Sequence, residues 1–277
     1  MQSSPVIVVH AASNMQSWVH CVQAAPKILD LCEALRTGPQ KTCCIGVLDD
    51  IDFKHHIHSV NLPRRMQQRT TLHDILNRHP GTGFPVKTKY SHLTLPSPGT
   101  LTQARCMIAL TLANAVVQLH DTPWLRETWS TNDISLLSDA PDPSLTEQPY
   151  VSTIFPSTPL LHTKRFRAIK NATIFALGVA LLEISHGRQL RTFETPDDLD
   201  DQGNRTAWTD YLIADRLVED IHKRELPNFA NAAQRCVHCN FESSAYSLHD
   251  EGFRERFYQG VIAPLKKDYD YATGGGG

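Results

Sequence analysis

The most constraining stretch of this sequence is Ala172-Thr-Ile-Phe-Ala-Leu-Gly-Val-Ala-Leu-Leu-Glu-Ile184. A surface helix carries one apolar stripe, whereas this run is apolar nearly all round. It predicts a helix enclosed by other elements on every side, hence a core with several helices packed about it. The run has 13 residues and contains Thr173 and Glu183. A membrane span needs ~20 apolar residues, and no longer apolar run occurs, so no membrane span is expected. His186-Gly187 supplies the C-terminal stop, because glycine takes the left-handed conformation that ends helices.

Other segments can form the shell around that helix. Ile108, Leu112, Ala115, Val116 and Leu119 share one face of a helix, with Thr100 or Thr102 as its N-cap and Pro123 past its end. Three amphipathic helices follow the apolar run. They are marked by Ala214, Leu217, Val218 and Ile221; by Phe229, Ala232, Ala233, Cys236 and Val237; and by Phe253, Phe257, Val261 and Leu265, with Pro264 ending or kinking the third. Residues 191–206 read as an acidic loop and 79–100 as a Pro/Gly/Ser/Thr loop.

The first part of the chain reads differently. Pro5 to Val9 is a short strand. A helical stretch from about Met15 to Leu35 is broken by Pro26 and ended by Gly38-Pro39. Thr42 to Leu48 and Phe53 to Val60 are β-branched or alternating runs joined by Asp-Asp-Ile-Asp, the pattern of a hairpin. Leu72, Ile75 and Leu76 mark a short helix with Thr71 as N-cap, and Tyr150 to Phe155 a further strand. The expected class is α+β. It has a small part of helix and short strands over 1–62, a larger mainly helical part over 63–270, and a flexible tail over 271–277.

Charge and cysteine usage narrow the setting. The chain has 277 residues, with 27 Lys plus Arg against 29 Asp plus Glu, which gives no electrostatic footprint for nucleic acid. The seven cysteines are an odd number, lie mostly in apolar patterns, and read as reduced thiols in a cytoplasmic protein. The opening Met1-Gln-Ser-Ser-Pro5 lacks the basic start of a signal peptide. Asn171-Ala-Thr173 and Asn204-Arg-Thr206 fit the glycosylation pattern without changing that reading.

A small sheet part followed by a helical part is the layout of a protein kinase, and the local text resembles one. Leu112-Ala-Asn-Ala-Val-Val-Gln-Leu-His120 resembles the helix before a kinase catalytic loop. Asp133-Ile-Ser-Leu-Leu137 resembles the end of that loop, and Phe175 to Gly187 the central buried helix of the large lobe. The sequence is more closely similar to an uncharacterised fungal family of protein-kinase-like domains, often found behind an N-terminal helical domain in proteins resembling incompatibility and cell-death components. The phrases that carry this are Asp30-Leu-Cys-Glu-Ala-Leu35, Leu119-His-Asp-Thr-Pro-Trp-Leu125, and Arg235-Cys-Val-His-Cys-Asn-Phe241 followed by Gly260-Val-Ile-Ala-Pro-Leu265. The resemblance spans about residues 28–268. It implies a kinase-like fold with a reduced N-terminal sheet lobe and a helical C-terminal lobe.

The departures from that pattern bear directly on chemistry. Phosphoryl transfer needs clamped phosphates, held Mg2+ and an acceptor hydroxyl aimed by a carboxylate. The first glycine is Gly38, and Lys27 is the only lysine before it, so a glycine loop and a strand lysine are missing from the start. No His-Arg-Asp, Asp-Phe-Gly or Ala-Pro-Glu occurs. In the kinase register Trp129 stands at the catalytic Asp, Ile134 at the Mg-binding Asn, and Thr173 at the helix Asp that holds the catalytic loop. A slip of register would bring in Asn132 or Asp133, the candidate cofactor-binding residues. Trp124 and Trp129 flank this loop and are expected to plug the cleft.

Other constellations have plainer readings. Cys236-x-x-Cys239 is the candidate metal or redox pair. No second Cys-x-x-Cys completes four zinc ligands, and Cys236 continues the apolar stripe of Phe229, Ala232 and Ala233, so packing is expected. His55, His56 and His58 crowd one strand without an evident third ligand on one face. Arg64, Arg65 and Arg69 read as a solvated connector, and no Gly-x-Ser-x-Gly elbow is present.

The functional expectation is a catalytically inactive, kinase-like binding or scaffold module acting through a protein partner, with no catalytic residues, no metal and no cofactor. The alternative is an enzyme of rewired chemistry, either an atypical phosphotransferase or a redox protein using Cys236 and Cys239. A third reading is a fragment whose effector function lay in a preceding region.

Overall fold

The computed structural model describes residues 26–30, 34, 44–49, 54–58, 68–78, 98–120, 122, 124–138, 149–151 and 169–274. These fall in two compact units, Met1–Gln67 and Gln68–Gly277. Expectations for Pro5 to Val9, for Cys21, Cys32 and Cys43, for Arg64 and Arg65, and for the side chains of His55, His56 and His58 lie outside the described residues.

In the first unit, β1 (Cys44–Asp49) pairs antiparallel with β2 (Lys54–His58), with Val47 opposite His56, the hairpin that the alternating runs suggest. Residues 26–28, expected inside a helix, run alongside β1 instead; Leu29 is a bend, and from there a helical bond runs from the Ala34 amide to Asp30 O at 3.0 Å. Lys27 forms a parallel bridge to Val47; the Ile28 amide donates to Val47 O at 2.7 Å, and the Val47 amide to Pro26 O at 2.8 Å. The reason is the register around Gly46. A Cβ there would stand 2.5 Å from Ile28 Cγ1 and 2.6 Å from Pro26 O, so the glycine lets this segment lie directly on β1. Ile28, Val47 and Ile57 are each buried.

The second unit begins with a three-stranded antiparallel sheet of β3 (Gln68–Thr71), β4 (Ile134–Ser138) and β5 (Pro149–Val151), with β4 central. Helix α1 (Leu72–Arg78) follows β3 directly. Thr71 caps it as expected: Thr71 Oγ1 accepts from the Asp74 amide at 3.0 Å, and Asp74 Oδ2 accepts from the Thr71 amide at 3.1 Å. Leu72, Ile75 and Leu76 are buried. Helix α2 (Pro98–Leu119) starts earlier than the threonine caps suggest, because proline is well suited to a first helical turn, where its missing N–H costs nothing.

Helix α3 (Ala172–His186) is the predicted buried helix. Ile174, Leu177, Leu181, Leu182 and Ile184 are 0% exposed. Asn171 Oδ1 accepts from the Ile174 amide at 2.9 Å as N-cap, and Gly187 stops the helix at φ 63°. Two short 3-10 turns, Leu190–Phe193 and Pro196–Asp198, lie in the expected acidic loop. Then come α4 (Thr209–Ile221), α5 (Pro227–His238), α6 (Glu251–Phe257) and α7 (Ala263–Ala272). Pro264 does not end the last helix. A π-helical turn at Tyr258–Ile262 joins α6 to α7 and puts Pro264 in a first turn, where no N–H is needed.

The closest helix pair is α3 and α5. At Gly178 a Cβ would meet Val237 N and Val237 Cγ2, each at 2.8 Å, so the two backbones approach through the missing side chain. Helix α7 packs on α2 and α5, and its buried Asp268 caps α5 from outside: the Phe229 amide donates to Oδ2 at 2.8 Å and Asn228 Nδ2 to Oδ1 at 2.7 Å. The described molecule is mainly helical with small antiparallel sheets. Among the described residues no helix is long and apolar enough to cross a membrane.

Candidate functional site

The candidate site is the turn-rich segment between the end of α2 and β4, where sequence reasoning places a degenerate catalytic loop. Its start is tied to the end of α2. His120 Nδ1 donates to Val117 O at 2.6 Å, Thr122 Oγ1 donates to Leu119 O at 2.7 Å, and the Trp124 amide donates to Thr122 Oγ1 at 3.3 Å. Trp124 and Leu125 are buried beneath it.

Its middle is fastened to the buried helix. Trp129 is 4% exposed, and its indole Nε1 donates to Thr173 O at 3.1 Å. Thr131 Oγ1 donates to Glu183 Oε2 at 2.8 Å, while the other oxygen, Oε1, accepts from the Leu190 amide at 2.9 Å. Glu183 is therefore a carboxylate on α3 that joins this loop to the turn after the helix. Burial pushes its pKa above 4.5, against the two hydrogen bonds, which favour the charged form. A further brace comes from α1: the His73 amide donates to Thr131 O at 3.1 Å, and Gln189 Nε2 contacts both His73 Nε2 and Asn77 Oδ1.

Asn132 and Asp133 are adjacent in the turn but have different surroundings. Asp133 Oδ1 accepts from Arg126 at 2.6 Å, and Oδ2 accepts from the Ser130 amide at 2.8 Å. Both oxygens of its carboxylate thus fix the turn. Asn132 is exposed, and its amide donates to Ser130 Oγ at 3.3 Å.

Cys236 and Cys239 lie at the C-terminal end of α5, far along the chain from this loop. Cys236 is 0% exposed and Cys239 is 3% exposed, with Cys239 at φ 46° as the C-cap. Burial pushes the Cys236 thiol well up, with Cys239 adding to the effect, and pushes Cys239 up to about 11. The thiolate is the species that binds metal or attacks a disulfide, so both groups are held in the unreactive form. Among the described residues no group of three or more His, Cys, Asp or Glu is arranged to hold a metal ion.

Sequence reasoning missed the anchoring role of Glu183, although the signal was present. A lone carboxylate in an otherwise apolar helix must find donors, and its position predicts that a loop and a turn come to it. It also missed a part-buried ion pair, Arg105 to Glu225 at 2.8 Å between α2 and the turn that follows α4. Burial raises the Glu225 pKa, and the Arg105 charge opposes that. The missed aromatic group of Trp208, Tyr211 and Phe175 pairs rings 6.1–6.3 Å apart across α3 and α4.

Curated proteins give no match to the chain. A family profile does match, over residues 12–272, which takes in both sheets and every helix above. The chain belongs to the family described as a domain of unknown function, DUF7580.

Proposed function

We propose that this chain is a kinase-like binding module that acts through contacts with a protein partner and performs no phosphoryl transfer. The observation that carries the reading is the bonding of the 120–133 loop. At the position that corresponds to a catalytic aspartate, Trp129 is buried and hydrogen-bonded to Thr173 O. The nearby carboxylate, Asp133, has both oxygens engaged by Arg126 and Ser130. A phosphotransferase needs such groups free to meet Mg2+ and the acceptor, whereas here they close the turn. The same loop is braced to α1, α3 and the turn at Leu190, as suits a scaffold that presents a fixed surface.

The kinase-like assignment draws on the order of elements: a small sheet unit, then a mainly helical unit with one largely buried helix, of which only Ala172, Ala176 and Val179 on one face are half-buried. The redox alternative draws no support from Cys236 and Cys239, whose burial opposes thiolate formation.

The test is a paired measurement on the purified chain. The module reading expects a stoichiometric complex with a partner protein that survives gel filtration without nucleotide. Labelled γ-phosphate should go neither to the chain nor to a generic acceptor. Mg2+- or Mn2+-dependent transfer lost on mutating Asp133 would replace this reading with a rewired phosphotransferase.

A further inference from the structure

We infer that the outer face of α4 at its N-terminal end is the docking surface of this module, and that it takes a basic segment bearing apolar side chains on a partner protein. The inference rests on the binding-module reading and names where and what the module binds.

Two features coincide on this face. The first is apolar exposure. Trp208 is 47% and Leu212 39% exposed, one helical turn apart. Tyr211 fixes the patch from beneath, with its ring 6.3 Å from that of Trp208 and 6.1 Å from that of Phe175 on α3. Trp and Tyr present large area with few rotatable bonds, which favours them as anchors in protein interfaces.

The second feature is charge. From Arg191 to Arg224 there are nine carboxylates against four arginines and one lysine, with Asp220 paired to Lys223 and Arg224, in a chain whose overall charge is only −2. The acidic turn is held against the start of α4, since Thr209 Oγ1 donates to Asp198 O at 2.9 Å and Arg205 bridges Glu194 and Asp210. Arg216, the third arginine, is paired with Asp198 at 2.7 Å. Beyond the apolar patch, exposed Asp215 and Glu219 continue the stripe Trp208, Leu212, Asp215, Glu219 at i, i+4, i+7, i+11. Asp215 accepts from His238 Nε2 at 2.7 Å, which joins the end of α5 to this face.

An apolar patch rimmed by carboxylates selects its occupant. Nucleic acid and anionic lipid are repelled by the rim, whereas lysines or arginines flanking leucine-like side chains satisfy both the rim and the patch. A second copy of this chain would set two acidic rims against each other.

The test uses a defined probe, a 14-residue amphipathic peptide of lysine and leucine. Two control peptides carry glutamate in place of lysine, or alanine in place of leucine. Binding to the whole chain is followed by titration calorimetry. The lysine–leucine peptide should bind, and Trp208→Ser with Leu212→Ser should weaken it at least ~10-fold, the scale of an interface hot spot. Asp215→Lys with Glu219→Lys should weaken it and flatten its salt dependence. Both double variants alter exposed side chains, and unchanged melting would verify that they fold. Equal binding of the glutamate peptide, or binding unchanged by Trp208→Ser with Leu212→Ser, overturns the inference. So does self-association of the parent chain that these two substitutions abolish, since the occupant is then a second copy. A natural partner captured as well by the Trp208→Ser, Leu212→Ser variant as by the parent removes this surface while leaving the binding-module reading intact.

Discussion

Among the described glycines of the helical unit, Gly178 leaves the least room for a side chain. A methyl group there would meet the Val237 backbone nitrogen and Cγ2 at 2.8 Å, and backbone cannot rotate away. Gly178→Ala gains helix propensity but forces α3 and α5 apart. The expected net is a loss of about 1–3 kcal/mol, the cost of overpacking a core, read from a urea titration. An unchanged midpoint would mean that the helices are not in this contact. Glu183 gives a second test. Glu183→Gln keeps an acceptor for Leu190 and a donor or acceptor for Thr131, and should stay within about 1 kcal/mol of the parent. Glu183→Ala orphans both partners and opens a cavity, at about 2–4 kcal/mol. The pH dependence has a definite sign. Burial holds the folded pKa above 4.5, so the native state binds this proton more tightly than the unfolded chain. Its contribution is complete below pH 4.5 and is lost as pH rises through the folded value. Glu183→Gln should remove that component from the stability profile, while an identical profile in parent and variant would contradict the burial. Cys236→Ala with Cys239→Ala should cost about 1–2 kcal/mol of packing and leave metal content unchanged. Stoichiometric zinc in the parent that disappears in the double variant would reassign the pair as ligands.

At the level of elements, α3 carries the fold, and Leu177 stands at its centre with 0% exposure. Leu177→Asp places an unpaired charge where no water or partner reaches, a cost comparable with the ~5–15 kcal/mol that stabilises a domain. No soluble folded protein is expected on expression, and a soluble variant melting like the parent would remove α3 from the core. The helices were legible because each buries a face at a 3.6-residue period: Phe229, Ala232, Ala233 and Cys236 are all 0% exposed, as their spacing requires. The bridging of residues 26–28 to β1 was not legible. Ile28 fits a helical stripe with Leu31, Cys32 and Leu35, yet its amide goes to Val47, a partner set by tertiary pairing and by the space at Gly46. The π-helical turn was hidden for a related reason. Pro264 signals a break, but whether a chain stops or passes through a wider turn depends on what the following segment packs against, here α2 and α5. In the loop, the sequence located Trp129, Asn132 and Asp133 without revealing that Trp129 meets Thr173 O, which comes to it only through the fold, whereas Asp133 and Asn132 bond to Arg126 and Ser130 of their own turn.

For the whole molecule, the proposed function turns on whether a nucleotide can be held. An ATP cleft of the kinase type combines hinge backbone for the base, a glycine loop and lysine for the phosphates, and acidic or amide ligands for Mg2+. In this sequence no glycine precedes Gly38, no His-Arg-Asp or Asp-Phe-Gly occurs, and Asp133 is engaged within its own turn. A base contact alone corresponds to about −4 kcal/mol, millimolar affinity. At ~1 mM ATP it would add only ~0.4 kcal/mol by mass action. The most direct measurement is the melting temperature of the intact chain with and without 1 mM ATP and Mg2+, repeated after chelation. The expected shift is below about 2 °C and is not altered by chelation. A shift of several degrees that disappears when Mg2+ is chelated would contradict it and place a metal–nucleotide site in this protein.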